Sequence, residues 1–321
     1  MTPPPTDDDG SWRTLFDSYA RSWTRHLRGD NKSTRTIAIY TYATKQLFDY
    51  CGQLPAGAAV DGLARPETIG DITRGHIQGL LGDKMASTWS PAMAHQCYRS
   101  LRVFFSYLVE EEEIDRSPMA KMKGPIVPAV PVPILTDDQI IALLATCQGR
   151  DFVQLRDTAI IRLLMDTGGR RQEIGNLLVA DIDMDMDTIT VLGKGRIRRT
   201  IPFAARTGQA LDRYLRVRGR QRHARLPELW LAVKRDTPLS PSGMAQMLDR
   251  RAAEAGIGKI FPHRFRHTMA HAWMAGGGEG GDLDRIMGWR SGEEMRKRYG
   301  ASLADERAQT AARRLRLGDR I

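Results

Sequence analysis

Residues Thr167-Gly168-Gly169-Arg170-Arg171-Gln172-Glu173-Ile174 mark the point where this 321-residue chain changes period. Before them, apolar residues from Arg156 to Thr167 recur at three- and four-residue spacing, which predicts a helix that the glycine pair ends. Beyond them the period drops to two. Thr188-Ile189-Thr190-Val191-Leu192, then Gly193-Lys194-Gly195, then Arg199-Thr200-Ile201-Pro202-Phe203 read as two β-branched strands joined by a glycine-bearing turn, with a third strand expected near Leu178 to Ile182. Helical spacing returns over Thr207 to Arg216, Ser242 to Ala255, His263 to Ala275, Asp282 to Met287 and Leu303 to Leu315. Upstream, Thr136-Asp137-Asp138-Gln139 is a capping-box pattern that opens a helix running through Ala145. Residues 135–321 are therefore expected to form an α-rich domain with a small antiparallel β-sheet.

Further toward the N-terminus, four prolines within Lys123 to Pro133 forbid helix and favour an extended connector, so 124–134 reads as a linker. Ahead of it, Trp12 to Leu27, Ser33 to Cys51, Thr73 to Leu81 and Pro91 to Glu113 carry helical spacing, which predicts a helical bundle over 12–123 preceded by a disordered tail, 1–11. Asn31 to Thr34 and Ser90-Pro91 supply the helix-start signals. In the last of these helices Arg99 and Arg102 share one face, and Val103, Phe104 and Leu108 are expected on the core side. The fold class is thus mainly α, in two domains.

Charge divides unevenly: residues 1–134 hold 15 basic and 15 acidic side chains, whereas residues 135–321 hold 33 and 23. That excess suits a polyanionic partner, or equally a solvated arginine-rich surface. Arg35, Arg99, Arg102, Arg196 and Arg198 are candidates for DNA contact, with a solvated face as the alternative, and the run Arg213 to Arg225 divides in the same way. No run of apolar residues is long enough to span a bilayer. The N-terminal decapeptide lacks the pattern of a signal peptide, and the expectation is a cytoplasmic, nucleoid-associated protein. Cys51, Cys97 and Cys147 are widely spaced and read as core residues rather than as a disulfide framework or zinc site.

Four patches taken in order carry chemistry: Arg170 with its neighbours, Lys194, His263-Arg264-Phe265-Arg266-His267, and Tyr299. They supply two guanidiniums, an ammonium, an imidazole and a phenol. A phosphodiester under attack gathers charge on its nonbridging oxygens, where guanidiniums bind through paired hydrogen bonds that strengthen toward the transition state. A lysine can protonate a leaving 5′ oxygen, and a phenol becomes a nucleophile where cations favour its ionised form. Taken singly, each patch has an ordinary reading: a helix end, a hairpin lysine, a structural histidine, a buried tyrosine.

Their order and spacing resemble the tyrosine recombinases of the phage integrase family, of the Xer-like or mobile-element type. Asp166-Thr167-Gly168-Gly169-Arg170 is similar to that family's first arginine box, with Glu173 at its acidic partner; Gly193-Lys194-Gly195 is similar to its hairpin lysine; His263, Arg266 and His267 match His-x-x-Arg-His. Met287-Gly288-Trp289 places tryptophan where a histidine is usual, and the nucleophile maps to Tyr299 in Lys297-Arg298-Tyr299-Gly300, about one residue farther from Trp289 than the pattern suggests. The resemblance implies Arg170, Lys194, His263, Arg266, Trp289 and Tyr299 as catalytic, with Glu173 and His267 in support. It also implies a core-binding domain ahead of a catalytic domain, and double-stranded DNA cleaved and rejoined through a 3′-phosphotyrosine without metal, cofactor or ATP. Assembly would be as a dimer on one site and a homotetramer on paired sites, with room for an accessory directionality protein. Leu303 to Leu315 could then dock on a neighbouring protomer, or pack on its own domain. A type IB topoisomerase-like relaxing activity and a non-catalytic DNA-binding protein of the same fold are the alternatives.

Other stretches invite less. Asp181, Asp183, Asp185 and Asp187 alternate like calcium ligands but lack the glycine and glutamate of such a loop. His267 and His271 lack a third metal ligand, and Gly276 to Gly281 reads as a flexible connection between helices.

Overall fold

The structure, a computed structural model, describes residues 9–56, 62–128, 133–193, 197–233 and 236–289 and the scattered positions 292, 293, 295, 296, 309, 312–314 and 318, the side chains of 9–13 and 15 excepted. The chain divides into two compact units, Met1–Ala129 and Val130–Ile321, a division that falls inside the proline-rich stretch.

In the first unit, helices α1 (Asp9–Gly29), α2 (Thr34–Gly52), α3 (Arg74–Ser87) and α4 (Pro91–Glu110) form a bundle around Trp23, Leu27, Leu47, Ile77, Leu80, Leu101, Phe104 and Leu108. Ser33 and Ser90 cap α2 and α4 by accepting from the backbone N–H groups of Thr36 and Met93, as their sequence positions predict. Three boundaries differ from expectation. α1 starts ahead of Trp12, α3 runs on to Ser87, and α4 stops at Glu110 before the acidic turn. Val103, expected in the core, is 39% exposed: at about 100° per residue it lies beside Arg102, and Leu101, Phe104, Phe105 and Leu108 make the inward stripe instead. At the end of this unit the chain is strapped to α4, where the Tyr98 hydroxyl donates to the Met122 carbonyl at 2.6 Å and the His95 ring meets the Pro125 carbonyl at 2.9 Å.

The second unit contains α5 (Asp137–Ala145), α6 (Phe152–Thr167), α7 (Arg171–Gly175), strands β1 (Ile182–Asp183), β2 (Thr188–Leu192) and β3 (Arg198–Pro202), and α8 (Ala205–Arg218), α9 (Pro241–Glu254), α10 (Pro262–Ala275) and α11 (Gly280–Met287). α6 is the centre: Ala159, Ile160, Ile161, Leu163 and Leu164 are buried on several sides of it, against α8 and α10 and the inner face of the sheet. The sheet is antiparallel in the order β1-β2-β3, with Ile189 opposite Ile201 and Val191 opposite Arg199. The third strand is shorter than predicted. Asp181 accepts from the Leu178 N–H and closes a 3₁₀ turn over Val179–Asp181, so pairing begins only at Ile182. The alternating aspartates serve the backbone, Asp183 accepting from the N–H groups of Asp185 and Met186.

Two further expectations are corrected. Glu279 caps α11 by accepting from the N–H groups of Gly281 and Asp282, so the last two glycines of the tract are helical rather than a connector. In the Arg213 to Arg225 run, Arg218 is only 6% exposed and donates to the carbonyls of Ala224, Leu226, Glu228 and Leu229, pinning the chain that follows its own helix. Cys51, Cys97 and Cys147 are buried thiols; burial pushes the first two up to about 12. Among the described residues no helix is long and apolar enough to cross a membrane. Leu303 to Leu315 lies almost wholly outside the described residues, as does the tail ahead of Asp9.

Candidate functional site

The turn after α6 is fixed by Gly168, whose φ of 54° is open to glycine and costly for other residues. The next three residues swing into α7, with Arg170 at its N-cap. Glu173, one turn on, accepts the Arg170 backbone N–H at 2.8 Å and its guanidinium at 2.8 Å. Its remaining capacity is taken by Arg199 of β3, which forks onto both carboxylate oxygens at 3.0 and 2.7 Å. Burial alone would raise the Glu173 pKa, but the hydrogen bonds from Arg199 and Arg170 outweigh it and hold the carboxyl down at about 2. Glu173 is therefore a buried carboxylate, ionised at neutral pH and shared by two guanidiniums.

Arg266 lies on α10 at 1% exposure, with Nη1 donating to the Gly168 carbonyl at 2.9 Å and Nη2 to the Met287 carbonyl at 2.6 Å. Arg170 reaches the Gly288 carbonyl at 3.4 Å, and Arg199 donates to the Ile286 carbonyl at 2.8 Å. Three consecutive carbonyls at the C-terminal end of α11 thus receive three guanidiniums from three different elements. A helix ends with unpaired carbonyls and a partial negative charge, so this end attracts cations. Gly288, at a φ of 61°, turns the chain out of α11 and delivers Trp289, whose ring lies 5.4 Å from the Arg266 guanidinium carbon.

His263 stands exposed in the first turn of α10, three residues before Arg266, with its ring edge-on to the buried His267 at 4.5 Å between centroids. The structure therefore brings together Arg170, Glu173, Arg266 and Trp289 and sets His263 over His267. Lys194, Arg196 and Tyr299 lie outside the described residues. Arg198 is exposed on β3, and Arg35, Arg99 and Arg102 are exposed on α2 and α4 of the first unit. Among the described residues no group of His, Cys, Asp and Glu could hold a metal ion.

The site member missed by the sequence reading is Arg199. Its signal was available: alternation along β3 puts Arg199 on the same face as buried Ile201, and a charge on an inward face requires a partner.

The family model described as the phage integrase family matches residues 133–306. The chain is 30% identical over 224 residues to a tyrosine recombinase XerC of Myxococcus xanthus, covering 68% of this chain and 74% of that one. Among solved structures, the Tn1549 transposon integrase in complex with transposon right end DNA superposes with a TM-score of 0.69 at 20% identity, over 92% of this chain and 99% of that one. A lambda integrase tetramer bound to a Holliday junction gives 0.66 at 18% identity, over 86% and 77%. With its α-rich fold and small antiparallel sheet, this chain belongs to the phage integrase family as a tyrosine-type site-specific DNA recombinase.

Proposed function

We propose that the second unit cleaves and rejoins DNA through a 3′-phosphotyrosine on Tyr299, and that the first unit is a core-binding domain joined to it by the linker at 124–134. The observation that carries this reading is the convergence of Arg170 and Arg266, far apart in sequence, on the adjacent carbonyls of Gly288 and Met287, immediately before Trp289. Arg170 keeps 36% of its side chain exposed, open to a phosphate. Arg170 and Arg266 bind the nonbridging oxygens; the Trp289 indole and His263 flank them. Tyr299 Oη attacks phosphorus in line, the bond to the 5′ oxygen breaks, and Lys194 delivers a proton to that oxygen while His263 accepts the phenolic proton. The bond energy is kept in the tyrosyl phosphate, so rejoining by the free 5′ hydroxyl runs without ATP.

Arg35, Arg99, Arg102, Arg196 and Arg198 bind the duplex, with a dimer on one site and a tetramer on paired sites, as the tetrameric likeness on a four-way junction suggests. Incubation with a nicked suicide duplex in EDTA tests the chemistry. A covalent protein–DNA adduct is expected for the native chain, none for Tyr299→Phe at unchanged duplex affinity, and a rate lower by on the order of 10²- to 10³-fold for Arg170→Ala. An adduct that survives Tyr299→Phe sinks the nucleophile assignment.

A further inference from the structure

Arg199 follows the hairpin lysine in the sequence and was given no role there, yet its guanidinium touches the carboxylate that holds Arg170 and the glycines that lead into Lys194 and Trp289. Through the two-pronged bond to Glu173 it reaches the carboxylate that holds Arg170. Through the Ile286 carbonyl it grips the end of α11, next to the Met287 carbonyl that binds Arg266. Two glycines let the chain lie directly against it: a Cβ on Gly193 would come within 3.0 Å of Arg199 Nη1, and one on Gly288 within 3.1 Å of the same atom. Gly193 precedes Lys194 and Gly288 precedes Trp289, so a Cβ at either position would require the guanidinium to give by a few tenths of an ångström. With its own side chain only 11% exposed, Arg199 is enclosed by these supports.

Charge gives Arg199 a second role. Arg170 bound to Glu173 alone would be a neutral pair and a poor receptor for a phosphate dianion-like transition state. With Arg199 on the far side of the same carboxylate, two positive charges face one negative charge, and the surplus lies on the more exposed partner, Arg170. We propose that Arg199 is a positioning residue that lets Glu173 orient Arg170 without cancelling its charge, and that fixes the chain entering Lys194 and Trp289 to the same frame. The proposal rests on the assignment of Arg170 and Tyr299 given above.

Its test is a comparison of Arg199→Met, Glu173→Gln and the double variant by duplex affinity and by single-turnover adduct formation at saturating DNA. Arg199→Met should keep duplex affinity within about threefold and lose on the order of 10²-fold in cleavage rate, a rate effect rather than a binding effect. Adding Glu173→Gln removes the carboxylate that then cancels the Arg170 charge and should return the rate about tenfold toward the native value. A merely structural role predicts the opposite, a double variant slower than either single one. If Arg199→Met does not fold, Arg199→Lys decides: it keeps the charge and loses the fork, and should cleave within about tenfold of the native chain, whereas a loss on the order of 10²-fold overturns the charge role. Native-like cleavage by Arg199→Met overturns the proposal while the native adduct and its loss in Tyr299→Phe leave the site assignment standing. Absence of any native adduct would instead overturn the assignment itself.

Discussion

Two carboxylates in the second unit each accept hydrogen bonds from two arginines, and their surroundings differ. Asp157, fully buried, accepts from Arg156 of its own helix and from Arg251 of α9. Other donors of those arginines go to the carbonyls of Leu231 and Thr146 and to Glu254, and Arg250, about half exposed, pairs more loosely with Asp157 at 3.7 Å and with Glu254 at 4.0 Å. Glu173 is nearly as buried and also carries two guanidiniums, but there one of them, Arg170, is left about a third exposed at the mouth of the site. The contrast separates a clamp from a receptor. In the clamp the two hydrogen-bonding guanidiniums, 3% and 9% exposed, turn onto protein acceptors, whereas in the proposed receptor the carboxylate fixes a guanidinium that stays about a third exposed.

If Asp157 is purely a clamp, Asp157→Ala should be the largest stability loss, about 3–5 kcal/mol, because two buried guanidiniums are left without their shared anion. Urea unfolding measures it, and the adduct formed per folded molecule should stay at the native level. A loss below about 1 kcal/mol would mean that the cluster contributes no more than a surface pair, and the comparison would fail.

The Glu173 cluster answers to pH. Its carboxyl sits at about 2 against an ordinary value of 4.5. A depressed folded-state value gives stability that is complete above the unfolded value and is lost as pH falls from about 4.5 toward 2, amounting to about 3 kcal/mol. The native chain should therefore lose stability more steeply than Glu173→Gln across that window. Identical acid profiles for the two would show that the two arginines do not hold Glu173 ionised.

Much of this arrangement was legible in the sequence because it depends on short-range rules. The capping box at Thr136 forms, with Gln139 accepting from the Thr136 N–H, and the strand period from Thr188 to Leu192 pairs as read. Arg170, Glu173, His263, Arg266 and Trp289 were singled out through the family resemblance of their boxes; the fold puts Arg170 and Glu173 on one turn, Trp289 beside Arg266, and His263 in the turn before Arg266. What escaped depends on contacts between distant segments. Arg199 meets Glu173 across 26 residues, and the three carbonyls of Ile286, Met287 and Gly288 gather arginines from β3, α10 and α7, which no local spacing announces. Gly280 and Gly281 were read as a connector because glycine opposes helix in isolation, and the cap from Glu279 reverses that preference. Arg218 passed for one of many surface arginines, since only the loop that folds back after it supplies its four carbonyls.

Arg216, two residues from Arg218, gives the smallest effect and the baseline for the comparison. It pairs with Asp212 one turn back at 2.7 Å, but both are open to water, 74% and 44% exposed. Solvent screens such a pair, and holding two long side chains in one geometry costs rotamer entropy, so Arg216→Ala should change stability by less than about 0.5 kcal/mol. The same arginine–carboxylate chemistry then spans a range from almost nothing at the surface to several kcal/mol around Asp157, with burial and the fate of the spare N–H groups deciding the difference. Urea unfolding at low and moderate salt measures it, and any small loss should shrink as salt rises. A loss above about 1.5 kcal/mol would place Arg216 in the structural frame with Arg218 and would remove exposure as the variable that separates the clusters.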